Sequence, residues 1–252
     1  MDYRKIFDLS VPPEEFDKWR SCYCDECFAD MIAHSGLGPG KSALEIGPGT
    51  GQATPPVVQA GCDYLAIELG ENFSAAMQKK FGKYDTVRIV NADFETHDFG
   101  GEQFDLVYSA ATIQWIPEEI GFPKVYALLK HGGTFAMMLT RTDYRTPNEA
   151  LYQEIQKVYD AYFHPQTPYT CSLAYSNVDK HGFVDFECRH YYETREYSAD
   201  DFLSWSLIQS GHLTLKESDR KGLIQGVKAA IDNQGGKITL LDDIVLYLAR
   251  KP

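Results

Sequence analysis

The sequence predicts an α/β fold: a doubly wound sheet of seven strands with a helical cap. Three observations carry this. Short apolar stretches alternate with helical segments between residues 43 and 139. The first stretch runs into a turn with Gly47, Gly49 and Gly51 at alternate positions. The second carries an acid, Glu68, about 20 residues beyond the glycines, where such sheets place the carboxylate that binds ribose hydroxyls.

Taken in order, Cys24 to Ile32 reads as a helix with Phe28, Met31 and Ile32 on one face. Ala43, Leu44 and Ile46 form a buried strand, and Glu45 interrupts it with a charge too costly to bury without a partner. That partner is expected to be the ligand. The glycines let the chain turn with positive φ and let backbone N–H groups approach a bound molecule. Thr54-Pro55-Pro56 opens a helix through Val57, Val58 and Ala60 that stops at Gly61. Asp63 to Leu69 is the second strand and Val87 to Val90 the third. Phe104 to Ala110 gives the fourth, Pro123 to Leu129 a short helix, Gly132-Gly133 a turn, and Thr134 to Leu139 the fifth strand.

Beyond the fifth strand, Thr146-Pro147-Asn148-Glu149 reads as a capping box with proline at the first helical position. Leu151, Ile155, Val158, Tyr159 and Tyr162 then recur at helical spacing as a core-facing stripe. Helices follow over Asp200 to about Ile208, capped by Ser198, and over Asp219 to Ile231. Val184 to Tyr192 and Lys237 to Ala249 read as the sixth and seventh strands, returning the chain to the sheet.

The spacing of the glycines separates cofactors. G-x-G-x-x-G would put its third glycine at position 52, which is Gln52, and there is no G-x-x-x-x-G-K-[ST] phosphate loop. An acid, three alternate glycines and a second acid resemble the class I S-adenosylmethionine-dependent methyltransferases. That resemblance implies a Rossmann-like sheet with its last strand pair antiparallel. It places the glycine loop under the methionine and ribose portions of S-adenosyl-L-methionine, with Glu68 on the ribose diol. Asn91-Ala92-Asp93-Phe94 resembles the adenine-binding turn, with Asp93 accepting from the exocyclic amine and the Phe94 N–H donating to the ring. The cofactor residues so implied are Arg20, Tyr23, Glu45, Gly47, Gly49, Gly51, Glu68, Leu69, Asp93, Phe94 and Ser109.

Phe16-Asp17-Lys18-Trp19-Arg20-Ser21-Cys22-Tyr23 resembles the Y-D-x-x-R-P-x-Y segment of a small-molecule, trans-aconitate methyltransferase-like branch, where it folds over the cofactor. Arg20 would pair with the methionine carboxylate and Tyr23 close the pocket. Phe16 and Ser21 depart from the pattern. Arg195 to Trp205, the HLTL from His212 and the GGKI from Gly235 resemble the same branch, with Gln209 where a tyrosine is expected. The implied division is a cofactor-binding core of 36–141, 182–194 and 236–252, and a cap of 1–35, 142–181 and 195–235.

Transfer from a sulfonium disperses charge, so alignment of donor and acceptor matters most, and no general base is assigned. Loops at the carboxy ends of strands supply the acceptor pocket: Gln114, Trp115, Arg141 and Tyr144 from the core, and His164, Tyr169 and His212 from the cap. There is no [N/D]-P-P-[Y/F] after the fourth strand, where Ser109-Ala110-Ala111-Thr112 stands, which disfavours methylation of base or amide nitrogens. A small-molecule methyl acceptor is the expectation. A catalytically silent S-adenosylmethionine-binding protein, or an NAD or FAD oxidoreductase on the same layout, are the alternatives.

Composition agrees. The chain has 252 residues, 44% hydrophobic, enough for a core with a cap, and a formal net charge of −12 that opposes a nucleic-acid partner. MDYRKIFDLS has no apolar h-region and no run of some 20 apolar residues occurs, so neither a secretory leader nor a membrane partner is expected. Cys22, Cys24 and Cys27 form C-x-C-x-x-C, but a zinc ribbon needs a second knuckle, and Cys62, Cys171 and Cys188 are isolated. Reduced thiols, no metal and a cytoplasmic location are the expectation. The oligomeric state is left open.

Overall fold

Runs of Leu, Ile, Val and Ala with few charges suit strands buried on both faces, and they form the centre of the sheet. The computed structural model describes residues 2–20, 23–166 and 173–252. Its strands are β1 (Ser42–Ile46), β2 (Asp63–Glu68), β3 (Val87–Asn91), β4 (Phe104–Ala110), β5 (Leu129–Asp143), β6 (Val184–Ser198) and β7 (Lys237–Arg250). They make one seven-stranded sheet in the order β3-β2-β1-β4-β5-β7-β6. β1 to β5 run parallel, and β7 inserts antiparallel between β5 and β6. The doubly wound, Rossmann-like sheet expected from the sequence is therefore present, with both pairings of β7 antiparallel.

The helices are α1 (Ile6–Ser10), α2 (Pro13–Trp19), α3 (Asp25–Ser35), α4 (Thr54–Gln59), α5 (Glu71–Phe81), α6 (Glu118–Leu128), α7 (Glu149–Tyr162), α8 (Ala199–Leu207), α9 (Ser210–Leu213) and α10 (Glu217–Asn233). On one sheet face Phe122 and Val125 of α6 pack against Phe135 and Val107. On the other, Cys27, Phe28 and Met31 of α3 and Val57 of α4 pack against Leu106, Tyr108 and Leu246. A third cluster joins Leu151 and Ile155 of α7 to Phe202 of α8, Leu223 and Val227 of α10, and Leu240 of β7. With Val158 and Tyr159 packed against it, this cluster takes up the stripe read from the sequence on α7 except for Tyr162, which is exposed. Among the described residues no helix is long and apolar enough to cross a membrane.

Several boundaries differ from the sequence-based expectation for local reasons. α6 starts at Glu118 rather than Pro123, because Pro117 accepts the first amides from Ile120 and Gly121 and Glu118 and Glu119 suit its first turn. The capping box at Thr146 does not form. Thr146–Asn148 is a 3-10 turn, and Asn148 instead donates to Tyr144 O and Thr239 O, tying α7 to β7. β6 continues past Tyr192 to Ser198 because β7 offers partners as far as Lys237. The Ser198 cap on α8 is present, accepting from Asp201 N.

Candidate functional site

Parallel strands end together at their carboxy termini, and the turns that follow β1, β2, β3 and β4 converge on one cleft of about 970 Å³. The β1 turn needs glycine at Gly47: φ is +64° and a Cβ would collide with Thr112, whose hydroxyl donates to Gly47 O at 2.9 Å. Gly51 serves the fold instead. It lies at φ +93° with Met77 Sδ 2.7 Å from the position of a Cβ, so α5 packs directly on the turn.

Glu68 closes β2 with each oxygen engaged: Gly49 N–H donates to Oε2 at 2.9 Å and Gly70 N–H to Oε1 at 2.8 Å. Burial raises its pKa to about 7, against the pull of the Gly70 and Gly49 amides. Asn91 at the end of β3 holds the turn beside it by donating to the carbonyls of Glu68, Leu69 and Gly70. Asp93 and Phe94 complete that wall, and Asp93 Oδ1 accepts from Glu95 N at 3.0 Å.

The amino-terminal segment covers this cleft. Arg4 pairs with Asp93 at 2.8 Å and with Glu95 at 2.5 Å. Asp8 is buried and accepts from Phe73 N at 2.8 Å, capping α5 from outside; Gly70 leaves it room, since a Cβ there would lie 2.5 Å from Asp8 Cγ. Phe7 lies edge-on to Trp115 at 5.7 Å, and Phe16 packs on Phe73 at 4.6 Å between ring centroids.

A second cavity of about 570 Å³ adjoins the first and shares Arg20, Tyr23 and Ala111 with it. Thr140, Thr142, Trp205 and Gln209 complete its lining. Arg20 donates to Gln209 Oε1 at 3.2 Å, and Thr142 donates to Asp242 at 2.6 Å. Thr140 Oγ1 is buried with no hydrogen-bond partner. Ala111 takes a left-handed φ of 56° where the chain leaves β4, at the junction of the two cavities.

Of the cofactor residues expected from the sequence, Arg20, Tyr23, Gly47, Gly49, Glu68, Leu69, Asp93 and Phe94 line the main cleft. Glu45, Gly51 and Ser109 do not. Glu45 lies behind the turn, where its Oε2 accepts from Thr54 Oγ1 at 2.7 Å, Tyr108 OH at 2.6 Å and Tyr64 OH, while its buried Oε1 has no hydrogen-bond partner. Burial still holds its pKa above the ordinary value. Ser109 is buried, donating to Ile46 O and accepting from Ile113 N.

Of the acceptor residues, Trp115 alone among those described lines the main cleft. Gln114 accepts from Tyr175 OH, and Arg141 donates to Tyr247 OH at 2.8 Å. Tyr144 packs against Phe202 and Tyr152 in the cap cluster. His164 is exposed, 3.7 Å from Asp219. His212 is buried against Phe163 and bonded to Tyr159 OH at 2.9 Å; burial, aided by Arg220, pushes its pKa down to about 4. Tyr169 lies outside the described residues, as do Cys22 and Cys171.

The sequence reading missed Arg4, Phe7 and Asp8, which act across the chain, and Thr140, Thr142 and Trp205. Thr140 and Thr142 flank Arg141 on a strand, so they share the opposite face; alternation carried that signal once β5 was extended beyond Leu139.

Residues 44–137 match the family model of a methyltransferase domain. A stretch of 128 residues is 29% identical to the sterol 24-C-methyltransferase ERG6 of Saccharomyces cerevisiae, covering 46% of this chain and 33% of that protein. Another of 103 residues is 25% identical to ribosomal RNA small subunit methyltransferase A of Bacillus cytotoxicus, covering 40% and 35%. The chain thus spans about a third of the length of these curated relatives (33% and 35%). The structure of Haemonchus contortus phosphoethanolamine N-methyltransferase 2, solved with phosphomonomethylethanolamine and S-adenosylhomocysteine, superposes with a TM-score of 0.59 at 18% identity, over 100% of this chain and 60% of that one. That likeness is one of fold.

Proposed function

From the match of residues 44–137 to a methyltransferase-domain model and the likeness of fold to a solved methyltransferase, we propose that this chain binds S-adenosyl-L-methionine in the main cleft and methylates a small molecule held in the adjoining cavity. The observation that carries this is Glu68, a buried carboxylate at the end of β2, held by the amides of Gly49 in the glycine turn and of Gly70 after β2, and lining the cleft. Its free lone pairs suit a vicinal diol.

Arg20 would hold the methionine carboxylate, Asp93 the adenine amine and Phe94 N–H the adenine ring, with Leu69, Gly47 and Gly49 around the sugar. When bound, the cofactor supplies an electrophilic methyl on a sulfonium. The protein's part is to align and to exclude water. Tyr23, Phe7, Phe16 and Trp115 give the cleft an aromatic cover, and a well-held reactant pair gains several kcal/mol from alignment alone. The second cavity meets the first at Arg20, Tyr23 and Ala111, so a molecule in it approaches the cofactor from the β4–β5 side. Thr140 Oγ1, Thr142, Gln209 and the Arg20 guanidinium there suit a polar acceptor.

The placement of Arg20 and Tyr23 supports assignment to the trans-aconitate methyltransferase-like branch, with 36–141, 182–194 and 236–252 as core and the remainder as cap. The net charge of −12 favours a small acceptor over a phosphate backbone.

Calorimetry with S-adenosylmethionine and with NAD tests the cofactor: micromolar binding of the first and none of the second is expected. Incubation with S-adenosylmethionine and a metabolite extract, followed by mass spectrometry, tests transfer. Tight binding without S-adenosylhomocysteine production from any acceptor pool would overturn the catalytic reading and leave a binding protein.

A further inference from the structure

β6 and β7 carry a hydrogen-bonded series of side chains that methyl transfer leaves unused. Cys188 and His190 lie two residues apart on β6 and so project from one face. Asp243 on β7 pairs in register with Tyr192, on that same face. His190 Nδ1 is 2.7 Å from Asp243 Oδ1, and His190 Nε2 is 3.4 Å from Cys188 Sγ. A carboxylate on Nδ1 keeps the proton there, which leaves Nε2 as the acceptor facing the thiol.

Cys188 is exposed, whereas Cys24, Cys27 and Cys62 are buried. Its register partner is Tyr247, whose hydroxyl accepts from Arg141 at 2.8 Å, so a guanidinium lies on the same face. Partial burial pushes the Cys188 thiol up while Arg141 draws it down. Sulfur therefore rests as the thiol, and the imidazole acts as general base during reaction rather than as half of a preformed ion pair.

We propose that Cys188, His190 and Asp243 form a nucleophilic thiol site, separate from the methyl-transfer cleft, that reacts with small disulfides bearing carboxylates. Cys188 Sγ attacks one sulfur of the disulfide, and a new S–S bond forms as the old one breaks. The thiol proton passes to His190 Nε2 and then to the departing thiolate. The products are a mixed disulfide on Cys188 and one free thiol, the disulfide being the oxidant. His190 is the base, Asp243 its positioning residue, and Arg141 selects the anionic partner.

The test uses the intact folded chain with glutathione disulfide and the neutral hydroxyethyl disulfide, each adduct being located by peptide mass spectrometry from pH 6 to 9. Arg141 on β5, Asp243 and Tyr247 on β7 and His190 on β6 are the groups that face the thiol, and their variants are compared. Cys188 is expected to react first, at least about tenfold faster at pH 7 than in His190→Gln. Asp243→Asn should lower the rate and move its pH profile toward that of a simple thiol. Arg141→Gln should erase the preference for glutathione disulfide. Thermal melts confirm that each variant is folded. Equal rates in the wild type and His190→Gln, no preference between the two disulfides, or first modification at Cys22 or Cys171 would overturn the proposal.

Discussion

Arg4 and Asp93 grip each other across the mouth of the main cleft, Nη2 to Oδ2 at 2.8 Å, though 89 positions apart in sequence. Asp93 is also the carboxylate proposed for the adenine amine, so the amino-terminal strap, from Arg4 through α1 and α2, is fastened to the group proposed to hold the cofactor. A partly exposed ion pair of this kind contributes about 0.2–1 kcal/mol. Arg4→Met is therefore expected to speed both association and release of S-adenosylmethionine by about two- to fivefold, seen in stopped-flow tryptophan fluorescence through Trp115, which touches Tyr3 and Phe7. Unchanged rates would mean that the aromatic contacts alone hold the strap.

Glu68 makes stability depend on pH. Its pKa is about 7 in the fold against an ordinary 4.5, so the folded protein keeps a proton that the unfolded chain has lost between those values. Stability is full below pH 4.5, falls as pH rises through about 7, and levels off above, a change on the order of 3 kcal/mol. Thermal melts from pH 5 to 8 should show the decline, and Glu68→Gln should flatten it. Cofactor affinity runs the other way, rising as Glu68 ionises, and Glu68→Ala should weaken it by about 10- to 150-fold. Unchanged binding in that variant would remove Glu68 from the site.

Glu45 is predicted to matter for folding rather than for the ligand. Its loss in Glu45→Ala leaves the buried hydroxyls of Thr54, Tyr64 and Tyr108 without their acceptor, at a cost of at least about 3 kcal/mol. Urea unfolding measures this. Glu45→Gln keeps an acceptor and should cost about 1 kcal/mol while preserving cofactor affinity. Loss of binding in a stable Glu45→Gln protein would restore the ligand role expected from the sequence.

Thr140→Val separates the two cavities. The orphaned hydroxyl is a liability in the ligand-free protein, so its removal at constant shape should leave the melting point unchanged or raise stability by about 1 kcal/mol. The KM for the acceptor should rise by about fivefold, with cofactor affinity unaffected. A weakened cofactor affinity would place Thr140 in the wrong cavity.

What was legible in the sequence was what is local. The glycine turn, Glu68 and the Asp93-Phe94 turn are each a strand end followed by its own loop, and residue types announce such units directly. Parity was less visible: with β5 read as ending at Leu139, Arg141 became the candidate, while the strand's alternation sends it to Tyr247 and turns Thr140 and Thr142 to the cavity. Glu45 was ambiguous because a strand charge has the same appearance whether a ligand or hydroxyls from other elements, here three on Oε2, partner it. Arg4 and Asp8 were invisible for the related reason that their partners, Asp93 and Phe73, come from distant segments. His212 shows the opposite limit, a chemically versatile side chain used as an aromatic packing element in the cap.

The position of β7 between β5 and β6 has a consequence for how the chain is made. β7 follows both neighbours in sequence, so during synthesis β5 and β6 emerge first, each with an unpaired edge that only the final strand can cover. Its register with β5 joins residues about a hundred positions apart, Thr134 with Arg250 among them, and such contacts form late. Until β7 has left the ribosome β5 and β6 stay unjoined, and open strand edges of that kind invite wrong pairing.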